Sequence, residues 1–513
     1  MIQTQTRQTL VTYLDSKAFE VHDREGQRIS IFRLIGQEAD RLHRECYVIG
    51  GFVRDIYLGR ESKDIDCVTV GSGIELAEAI TDRMNRRYTH LSVFRNFGTA
   101  QVKHTEKDFT TGEVLTMEVE FVGARRESYS HDSRKPVVED GTLTDDQNRR
   151  DLTINDLALC LNAERYGELV DPFNGLADLD AGHIRTPLDP DITFSDDPLR
   201  MLRAIRFACR FDFRIVPDTF EAIARNRDRI GIISGERIID ELNKIQLTDK
   251  PSLGWILLQK CGLLQIILPE LQALAGIENR DGRGHKDNFL HTVTVLDNVC
   301  RAEREAGKAP NLWLRWAAVF HDLGKAKAKA YDDKLGWTFH NHDYIGSRMV
   351  MPIMRRLKLP LGVEEKYVEK LVALHMRPIH LADEGITDSA IRRVMFEAGQ
   401  DTDDLMTLCE ADITSRIPEK VKRFLDNFRI VRQRMQEIQA KDDYRNWTPP
   451  IDGNEIMQRY SLPQCRTVGL LREAQKDAIL DGLCENTREA ALAFLDQKAK
   501  ELLSNDGTTG TLH

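Results

Sequence analysis

Two aspartates one residue apart have the type and spacing for metal chemistry. Asp64 and Asp66 flank the apolar Ile65, and further apolar residues follow. On a β-strand, residues two apart point to the same face, so the two carboxylates would lie side by side. Paired carboxylates bind hard divalent cations, and two such ions can clamp both oxygens of a phosphoryl displacement. The competing interpretation is a chance Asp-x-Asp on an exposed strand.

A glycine pair precedes these aspartates. Residues 47–49 form a short apolar run that predicts a buried strand, Gly50 and Gly51 interrupt it, and residues 52–58 have a helical pattern. Glycines between a strand and a helix let backbone N–H groups approach a phosphate, and the helix dipole favours the anion. Each motif alone is common, but the order strand, Gly-Gly, helix, Asp-x-Asp strand favours a phosphate-transfer site.

The composition is that of an ordinary globular protein. The 513 residues suffice for roughly three or four domains, and 41% of them are hydrophobic and 30% charged. No apolar run reaches about 18 residues and the N-terminus lacks an apolar signal core, so we expect a cytoplasmic protein with no membrane contact. The nine cysteines are scattered singly, which indicates neither a disulfide framework nor a zinc-sulfur site. A net charge of -10 argues against indiscriminate nucleic-acid binding but permits a local basic face.

The stretch GGFVRDIYLGR followed by DID resembles the catalytic head of the class II nucleotidyltransferases, the family of bacterial CCA-adding enzymes and poly(A) polymerases. Helical and strand patterns around it predict a small mixed sheet backed by helices. The resemblance therefore implies an α+β head followed by mostly α-helical domains.

A later strand is expected to supply a third carboxylate. Between residues 114 and 122 apolar and polar positions alternate, which places Glu118 and Glu120 on one face. The family's spacing favours Glu120, and a solvated acidic edge is the alternative for either glutamate alone. The resemblance implies that Asp64, Asp66 and Glu120 are catalytic and bind Mg²⁺. One ion would activate the RNA 3′-hydroxyl and the other would steady the triphosphate.

Residues 123–148 are polar with few apolar positions, which predicts a long loop or mobile segment. In CCA-adding enzymes a flexible loop at this place assists the switch from adding C to adding A. Long loops in compact domains are usually functional.

Two adjacent arginines, Arg149 and Arg150, follow this segment. Guanidinium pairs opening an apolar helix would suit a triphosphate, because they offer paired N–H donors. Asp156 stands where the family usually has alanine. The family's RRDxTxN motif is matched, and the resemblance implies that the nucleotide is bound by Gly50, Gly51, Arg54, Arg149, Arg150, Asp151 and Asn155.

The segment SDDPLRMLRAIRFACRF predicts a helix that carries arginines on one face. Its start resembles the family's nucleotide-selecting Glu-Asp-x-x-Arg motif, so Asp197 and Arg200 form a candidate protein template. Cytosine and adenine both offer an exocyclic amine beside an unprotonated ring nitrogen, which a carboxylate and an arginine can match. A mismatched base would leave buried groups unpaired, at about 1–3 kcal/mol each. Arg203 and Arg206 would assist nucleotide binding, and the stripe continuing to Arg210 would contact the acceptor stem.

The later half contains the order H...HD...H...H...D, which resembles the HD superfamily of metal-dependent phosphohydrolases. A lone histidine on an apolar face is usually a core residue, so the whole set carries the assignment. Imidazole and carboxylate ligands can share a divalent metal and lower the pKa of its bound water. The resemblance implies an unidentified divalent metal bound by His291, His321, Asp322 and Asp412, with His342 and His375 matching extra ligands of two-metal members.

We expect five regions. They are an N-terminal helix and nucleotidyltransferase head (1–160), a helical neck and body that bind nucleotide and RNA (161–280), an HD domain (285–420), a helical tail (421–503) and a disordered C-terminus (504–513). The implied activity is template-independent addition of CCA to the 3′ end of tRNA from CTP and ATP, with release of pyrophosphate. The alternatives are poly(A) polymerase, partial A-adding or CC-adding activity, and an HD phosphohydrolase with an RNA-binding head. No obligate protein partner is evident.

Overall fold

The computed structural model describes residues 6–62, 64–107, 114–130, 133–381, 387–415, 417–441 and 447–506. The chain divides into two compact units. The first comprises Met1–Asp249 and Leu253–Ile267, and the second comprises Lys250–Ser252 and Leu268–His513.

The first unit contains the strands that form the head. In chain order they are β1 Glu20–His22, β2 Arg28–Ser30, β3 Cys46–Ile49, β4 Asp64–Thr69, β5 Thr89–Phe94, β6 Thr99–Lys107, β7 Val114–Gly123, β8 Arg125–Ser130, β9 Ser133–Asp140, β10 Ala158–Cys160, β11 Leu169–Val170, β12 His183–Ile184 and β13 Arg214–Ile215.

Helices alternate with these strands and then dominate. They are α1 Arg7–Leu14, α2 Ile31–Arg41, α3 Gly51–Tyr57, α4 Gly73–Arg83, α5 Leu143–Asn148, α6 Gly175–Ala181, α7 Pro190–Asp196, α8 Leu199–Phe211, α9 Pro217–Asn226, α10 Gly235–Gln246, α11 Ser252–Lys260, which begins at the unit boundary, and α12 Leu263–Ile267.

A seven-stranded mixed sheet organises the head, in the order β11-β10-β3-β4-β7-β6-β5. Strands β4 and β7 run parallel, and the other neighbours are antiparallel. Helix α4 packs against β6 and β7, where its buried Leu76, Ala77 and Ile80 cover the sheet. The predicted α+β head followed by mostly helical structure is confirmed.

Two local predictions were wrong. The polar segment 123–148 is not a long loop, because β8 and β9 pair as an antiparallel hairpin and α5 follows with a capping box at Thr142. Hydrogen bonds between the two strands therefore satisfy the backbone N–H and C=O groups of a segment that lacks an apolar pattern. Likewise, Arg149 and Arg150 do not open a helix, since only a single 3-10 turn (Thr153–Asn155) follows before β10.

Helix α8 joins the head to the following helices. Asp196 is the last residue of α7, Asp197 is its C-cap, and Pro198 occupies the N-cap position of α8, so the two aspartates lie at the junction of the two helices. Leu202, Ile205 and Ala208 are fully buried, which fixes the rotation of the helix about its axis. Helix α10 packs against α8 within the same unit.

The second unit is mostly helical, with two short hairpins. Its elements are α13 Pro269–Gln272, β14 Asn279–Arg280, β15 Arg283–Gly284, α14 Asn288–Glu305, α15 Leu312–Phe320, α16 Lys325–Ala328, β16 Ala330–Asp332, β17 Gly336–Thr338, α17 His342–Arg356, α18 Val363–Leu374, α19 Arg377–Leu381, α20 Asp388–Ala398, α21 Thr402–Ala411, α22 Pro418–Lys441, α23 Gly453–Arg459, α24 Arg466–Leu480 and α25 Arg488–Asp506.

Helices α14, α15, α17, α18 and α21 pack together. His291 and His342 lie on α14 and α17, and His321 and His375 are the C-cap residues of α15 and α18. The tail helices α23 to α25 enclose a separate apolar cluster that includes Ile456, Leu471 and Leu495. Helix α25 runs to Asp506, and residues 507–513 of the C-terminus predicted to be disordered lie outside the described residues. Within the described ranges, no helix has the length and apolar character needed to cross a membrane.

Candidate functional site

Three carboxylates converge on neighbouring strands of the head. Asp64 and Asp66 lie on β4 with the buried Ile65 between them, so they share a face as the spacing predicts. The parallel register with β7 places Asp66 opposite Glu120 and Asp64 opposite Glu118. The fold therefore brings together acids that are more than fifty residues apart in sequence.

The two glutamates of β7 differ in their partners. Glu118 accepts a hydrogen bond from Lys103 Nζ at 2.5 Å, which neutralises it. Glu120 is exposed, and no side-chain hydrogen bond or ion pair involving it is seen among the described residues. Its position beside Asp66 favours it as the third carboxylate.

The environment of Asp66 favours a bound cation. Burial and the neighbouring Asp64 raise the pKa of Asp66 to about 6, although Arg150 opposes the shift. Glu120 adds further repulsion. A hard divalent ion would relieve this repulsion and use oxygen ligands that suit Mg²⁺, so the donor set fits the ion that the family implies.

Gly50 lets the arginine motif approach the carboxylates. Its φ of 84° lies in the left-handed region. A Cβ atom at this position would lie 3.4 Å from Arg150 Nη1 and 3.8 Å from Asp66 Oδ2. The glycine turn, the guanidinium and the catalytic strand therefore meet at one point, where an anionic triphosphate could lie.

Arg149 and Arg150 share one buried counter-ion, Asp146. Both guanidinium groups donate to it, with Arg150 Nε 3.1 Å from its Oδ2. Burial disfavours the Asp146 anion, but the two arginines outweigh burial and hold its pKa below the usual range. The pair therefore carries a net positive charge near Asp66.

Asp151 and Asn155 form hydrogen bonds with other side chains of the protein. Asp151 accepts from Arg203 Nε at 2.6 Å and from Asn155 Nδ2 at 3.1 Å. Arg54 donates to Asn155 Oδ1 at 2.5 Å and to Asp55, and its side chain is only 4% exposed. These contacts fix the RRD motif against α3 and α8. A direct phosphate contact by Arg54, Asp151 or Asn155 stays a prediction.

Asp197 and Arg200 lie at the start of α8 but do not bond to each other through their side chains. Asp197 Oδ2 is 3.4 Å from Arg237 Nη2. Arg200 is buried, and its guanidinium donates to the backbone carbonyl oxygens of Arg149 (2.6 Å) and Thr193 (3.3 Å). The proposed base-reading pair is therefore held against the triphosphate motif.

The predicted arginine stripe does not form a uniform exposed surface. Arg203 pairs with Asp151, and Arg206 lies 2.9 Å from buried Glu241, while Arg210 is exposed. Arg60 of the head is also exposed, and the guanidinium carbons of Arg60 and Arg210 lie 4.9 and 5.4 Å from the Phe211 ring centroid. Arg60 and Arg210 are therefore more available to RNA than Arg203 and Arg206.

Four histidines of the second unit are oriented by bonds at Nδ1. His321, His342 and His375 each have Nδ1 within 2.8 Å of a backbone carbonyl oxygen, and His291 Nδ1 is 2.8 Å from Thr414 Oγ1. Such bonds fix the tautomer and direct Nε2 into the site. None of these orienting partners could be identified from the motif.

Asp322 lies close to histidines of both candidate metal-binding groups. Its Oδ2 is 3.3 Å from His291 Nε2 and 3.2 Å from His321 Nε2, while its Oδ1 is 3.4 Å from His342 Nε2. Two groups each bring their ligand atoms within 4.8 Å of one another. They are His291, His321 and Asp412, and Asp322, His342 and His375.

Several of these atoms are buried without a hydrogen bond. Nε2 of His321, His342 and His375 and Oδ1 of Asp322 have no hydrogen-bonding partner of suitable geometry among the described residues. Burial lowers the pKa of His321, but Asp322 and Asp412 outweigh it and raise that pKa to about 10. Unsatisfied nitrogen donors beside carboxylates that attract positive charge fit divalent metal ions.

A pocket of about 720 Å³ opens onto this cluster. Lys325 donates to Asp322 Oδ2 at 2.6 Å, and His340 and His380 line the pocket without belonging to either ligand group. Lys286 and Lys420 add positive charge to its lining. Sequence reasoning assigned no role to these residues, although Lys325 belongs to the His-Asp-Leu-Gly-Lys segment, which is the most specific part of the HD pattern.

In the head, sequence reasoning missed Asp146. It lies three and four residues before the two arginines, the spacing that places side chains on one helical face, so the pattern could have identified it. Asp156 was noted only as a departure from the family. It lies fully buried, with Arg150 Nε 3.8 Å from its Oδ1.

Comparison with known families matches three regions of the chain. Residues 46–185 match the family described as "Poly A polymerase head domain". Residues 212–274 match "Probable RNA and SrmB- binding site of polymerase A", and residues 288–417 match "HD domain". The matched regions contain the carboxylates, the arginine motif and all six HD-type ligands.

Known relatives cover most of the chain. A "Multifunctional CCA protein" of Chromobacterium violaceum is 32% identical over 387 residues, which is 74% of this chain and 83% of that protein. An "A-adding tRNA nucleotidyltransferase" of Deinococcus radiodurans is 32% identical over 368 residues, 70% of this chain and 80% of the relative.

Solved structures show the same fold. A Thermotoga maritima CCA-adding enzyme complexed with tRNA has a TM-score of 0.59 at 20% identity, covering 96% of this chain and 98% of the other. The predicted family is therefore confirmed: the chain belongs to the class II nucleotidyltransferase family of CCA-adding enzymes and poly(A) polymerases and is a nucleotidyltransferase that carries an HD domain.

Proposed function

We propose that the protein adds CCA to the 3′ end of tRNA, using CTP and ATP and releasing pyrophosphate. The observation that carries the proposal is the meeting of Asp66, Glu120 and Arg150 beside Gly50. Acids for metal ions and a guanidinium for the triphosphate lie on one face of the head. The tRNA substrate is supported by relatives that are named as CCA or A-adding enzymes.

Each group of residues has a separate task. Asp64, Asp66 and Glu120 would hold Mg²⁺. The bound ion would lower the pKa of the RNA 3′-hydroxyl and stabilise charge on the leaving pyrophosphate. Arg149 and Arg150 bind the triphosphate, and Gly50 and Gly51 allow backbone N–H groups to approach it.

Base choice is assigned to the start of α8. Asp197 would accept a hydrogen bond from the exocyclic amine of cytosine or adenine, and Arg200 would donate to the ring nitrogen. The contact of Arg200 with the carbonyl of Arg149 supports this assignment, because it fixes base reading relative to triphosphate binding. Asp197 must exchange its contact with Arg237 for the base.

Incorporation of nucleotides into tRNA tests the proposal. A transcript that lacks its 3′ CCA is incubated with labelled CTP, ATP or both, and products are resolved to single nucleotides. We expect addition to stop after CCA. If the protein adds a single A, and only to transcripts that end in CC, it is an A-adding enzyme. Long poly(A) tails on unrelated RNAs would indicate a poly(A) polymerase.

We further propose phosphohydrolase activity at the HD site, as a second activity of the same chain. The unsatisfied Nε2 atoms and the bridging position of Asp322 support it. Metal ions bound there would supply an activated water. Hydrolysis of p-nitrophenyl phosphate and bis-p-nitrophenyl phosphate by the full chain, with added Mn²⁺ or Ni²⁺, is the test. His321→Ala should abolish hydrolysis and spare nucleotide incorporation, and Asp64→Asn with Asp66→Asn should do the reverse.

A further inference from the structure

Asp156 is a buried acid without a hydrogen-bonding partner. Its side chain is 0% exposed, and neither carboxylate oxygen has a hydrogen bond among the described residues. Its backbone groups are satisfied: the carbonyl oxygen accepts from Gln147 Nε2 at 2.8 Å, and the N–H donates to the carbonyl oxygen of Thr153 at 3.1 Å. Burying an unpaired carboxyl group is costly, so its presence calls for a compensating role.

The nearest opposite charge is the guanidinium of Arg150. Asp156 Oδ1 lies 3.8 Å from Arg150 Nε, while Asp146 Oδ2 lies 3.0 Å from Arg150 Nη2. Arg150 Nη1 faces the Gly50 turn, next to Asp66. Asp146 and Asp156 therefore lie on either side of the Arg150 guanidinium, while its Nη1 atom lies toward the Gly50 turn and the catalytic strand β4.

The surroundings shift the pKa values of the two bracketing acids in opposite directions. The arginines keep Asp146 ionised by holding its pKa below the usual range. Burial raises the pKa of Asp156 well above its usual value, and the surrounding Asp151, Asp146 and Asp171 raise it further, while Arg150 opposes the shift. These surroundings favour the neutral form of Asp156. A neutral acid can orient a guanidinium through its dipole without cancelling the charge.

We propose that Asp156 is a positioning residue that holds Arg150 toward the incoming triphosphate while leaving its positive charge available. This inference rests on the proposed role of Arg150 in nucleotide binding. In this arrangement Asp146 anchors the guanidinium and Asp156 fixes its tilt. Ionised Asp156 would instead compete with the triphosphate for Arg150.

The test compares Asp156→Ala with the isosteric Asp156→Asn in the full chain. Binding of CTP and ATP is measured by calorimetry, and KM and kcat by incorporation into tRNA. For Asp156→Ala we expect Kd and KM of both nucleotides to rise about tenfold and kcat to change less than about twofold, because the interaction acts in nucleotide binding. Asp156→Asn should restore both constants to within about twofold.

Two further readouts separate positioning from a structural role. Removing an unsatisfied acid should leave the Tm of Asp156→Ala equal to or above that of the wild type, although nucleotide binding is weaker. Raising the pH should increase the nucleotide KM of the wild type relative to that of Asp156→Asn, which cannot ionise. Glu38→Ala is the matched control: Glu38 is buried and paired with Arg41 and Arg83, so its loss should lower Tm and leave KM unchanged.

The outcomes are distinct. Unchanged nucleotide affinity in Asp156→Ala, or a lower Tm with a loss of kcat alone, overturns the inference. If the wild type binds nucleotides but adds none to RNA, the proposed function fails, and the calorimetric comparison still decides the role of Asp156. If the wild type binds neither nucleotide, both proposals fail.

Discussion

Arg200 donates a hydrogen bond from its guanidinium Nη2 to the backbone carbonyl oxygen of Arg149, at 2.6 Å. A second bond, 3.3 Å from Nη1 to the carbonyl oxygen of Thr193, fixes the same side chain. The helix proposed to read the base and the motif proposed to bind the triphosphate are thus tied through one buried arginine. A displacement of the base-reading helix should therefore also displace the triphosphate-binding motif.

Arg200→Lys should therefore relax base choice. Lysine keeps the charge but cannot present the planar fork that reaches both carbonyl oxygens. We expect the preference for CTP and ATP over UTP and GTP, measured as ratios of kcat/KM, to fall by at least about tenfold. Arg210→Lys on the exposed part of the same helix is the control and should keep the preference.

Glu120→Gln should lower kcat for nucleotide incorporation by at least about 100-fold, whereas Glu118→Gln should change it less than about threefold. The difference follows from their surroundings, since Glu118 is paired with Lys103 and Glu120 lies opposite Asp66. Single-turnover incorporation with saturating RNA measures both. Equal losses in the two variants would show that the third carboxylate was assigned to the wrong residue.

The HD site should bind two divalent ions per chain. His375→Ala removes a ligand from one of the two groups. We therefore expect elemental analysis of the metal-loaded variant to show the loss of one ion or of both. His340→Ala is the control, since His340 lines the pocket outside both groups and should leave the metal content unchanged. Removal of these ions by a chelator, followed by Mg²⁺ addition, should abolish phosphate-ester hydrolysis and restore nucleotide incorporation.

The ion pair of Asp151 with Arg203 should stabilise the first unit in a pH-dependent way. Burial disfavours the Asp151 anion, but Arg203 and the bond from Asn155 outweigh it and lower its pKa from 3.8 to about 2. A depressed folded-state pKa gives stability that is present above the ordinary value, about 2 kcal/mol here, and is lost as the pH falls toward 2. Urea unfolding of wild type and Asp151→Asn at several pH values should show the difference narrowing below about pH 4.

Arg60→Ala with Arg210→Ala should weaken tRNA binding and leave nucleotide affinity unchanged. Both arginines are exposed beside the Phe211 ring, and a phosphate contact made by either releases a counter-ion. Each lost contact should reduce the slope of log affinity against log salt by about 0.7 to 0.9. Arg28→Ala, an exposed arginine on β2, is the control; an equal reduction there would contradict the assignment.

Local patterns in the amino-acid sequence predicted the chemistry of the head. Alternation placed Asp64 and Asp66 on one strand face, and the glycine pair predicted the strand-to-helix turn, because both features depend only on neighbouring residues. The candidate HD ligands, spread over residues 291–412, were indicated instead by the resemblance of their order to the HD superfamily. Motif order also sufficed to identify the family, which the comparisons confirm.

Which distant groups meet depends on the folded arrangement of the strands and helices. Strand register set Glu120 opposite Asp66, and the hairpin β8–β9 formed where the sequence predicted a loop, because strand pairing satisfies backbone groups regardless of apolar pattern. Burial and pairing likewise turned Arg54 inward and left the Asp156 carboxyl group beside Arg150 without a hydrogen bond. The charge state and availability of a side chain depend on everything packed around it, and that packing is absent from any local pattern.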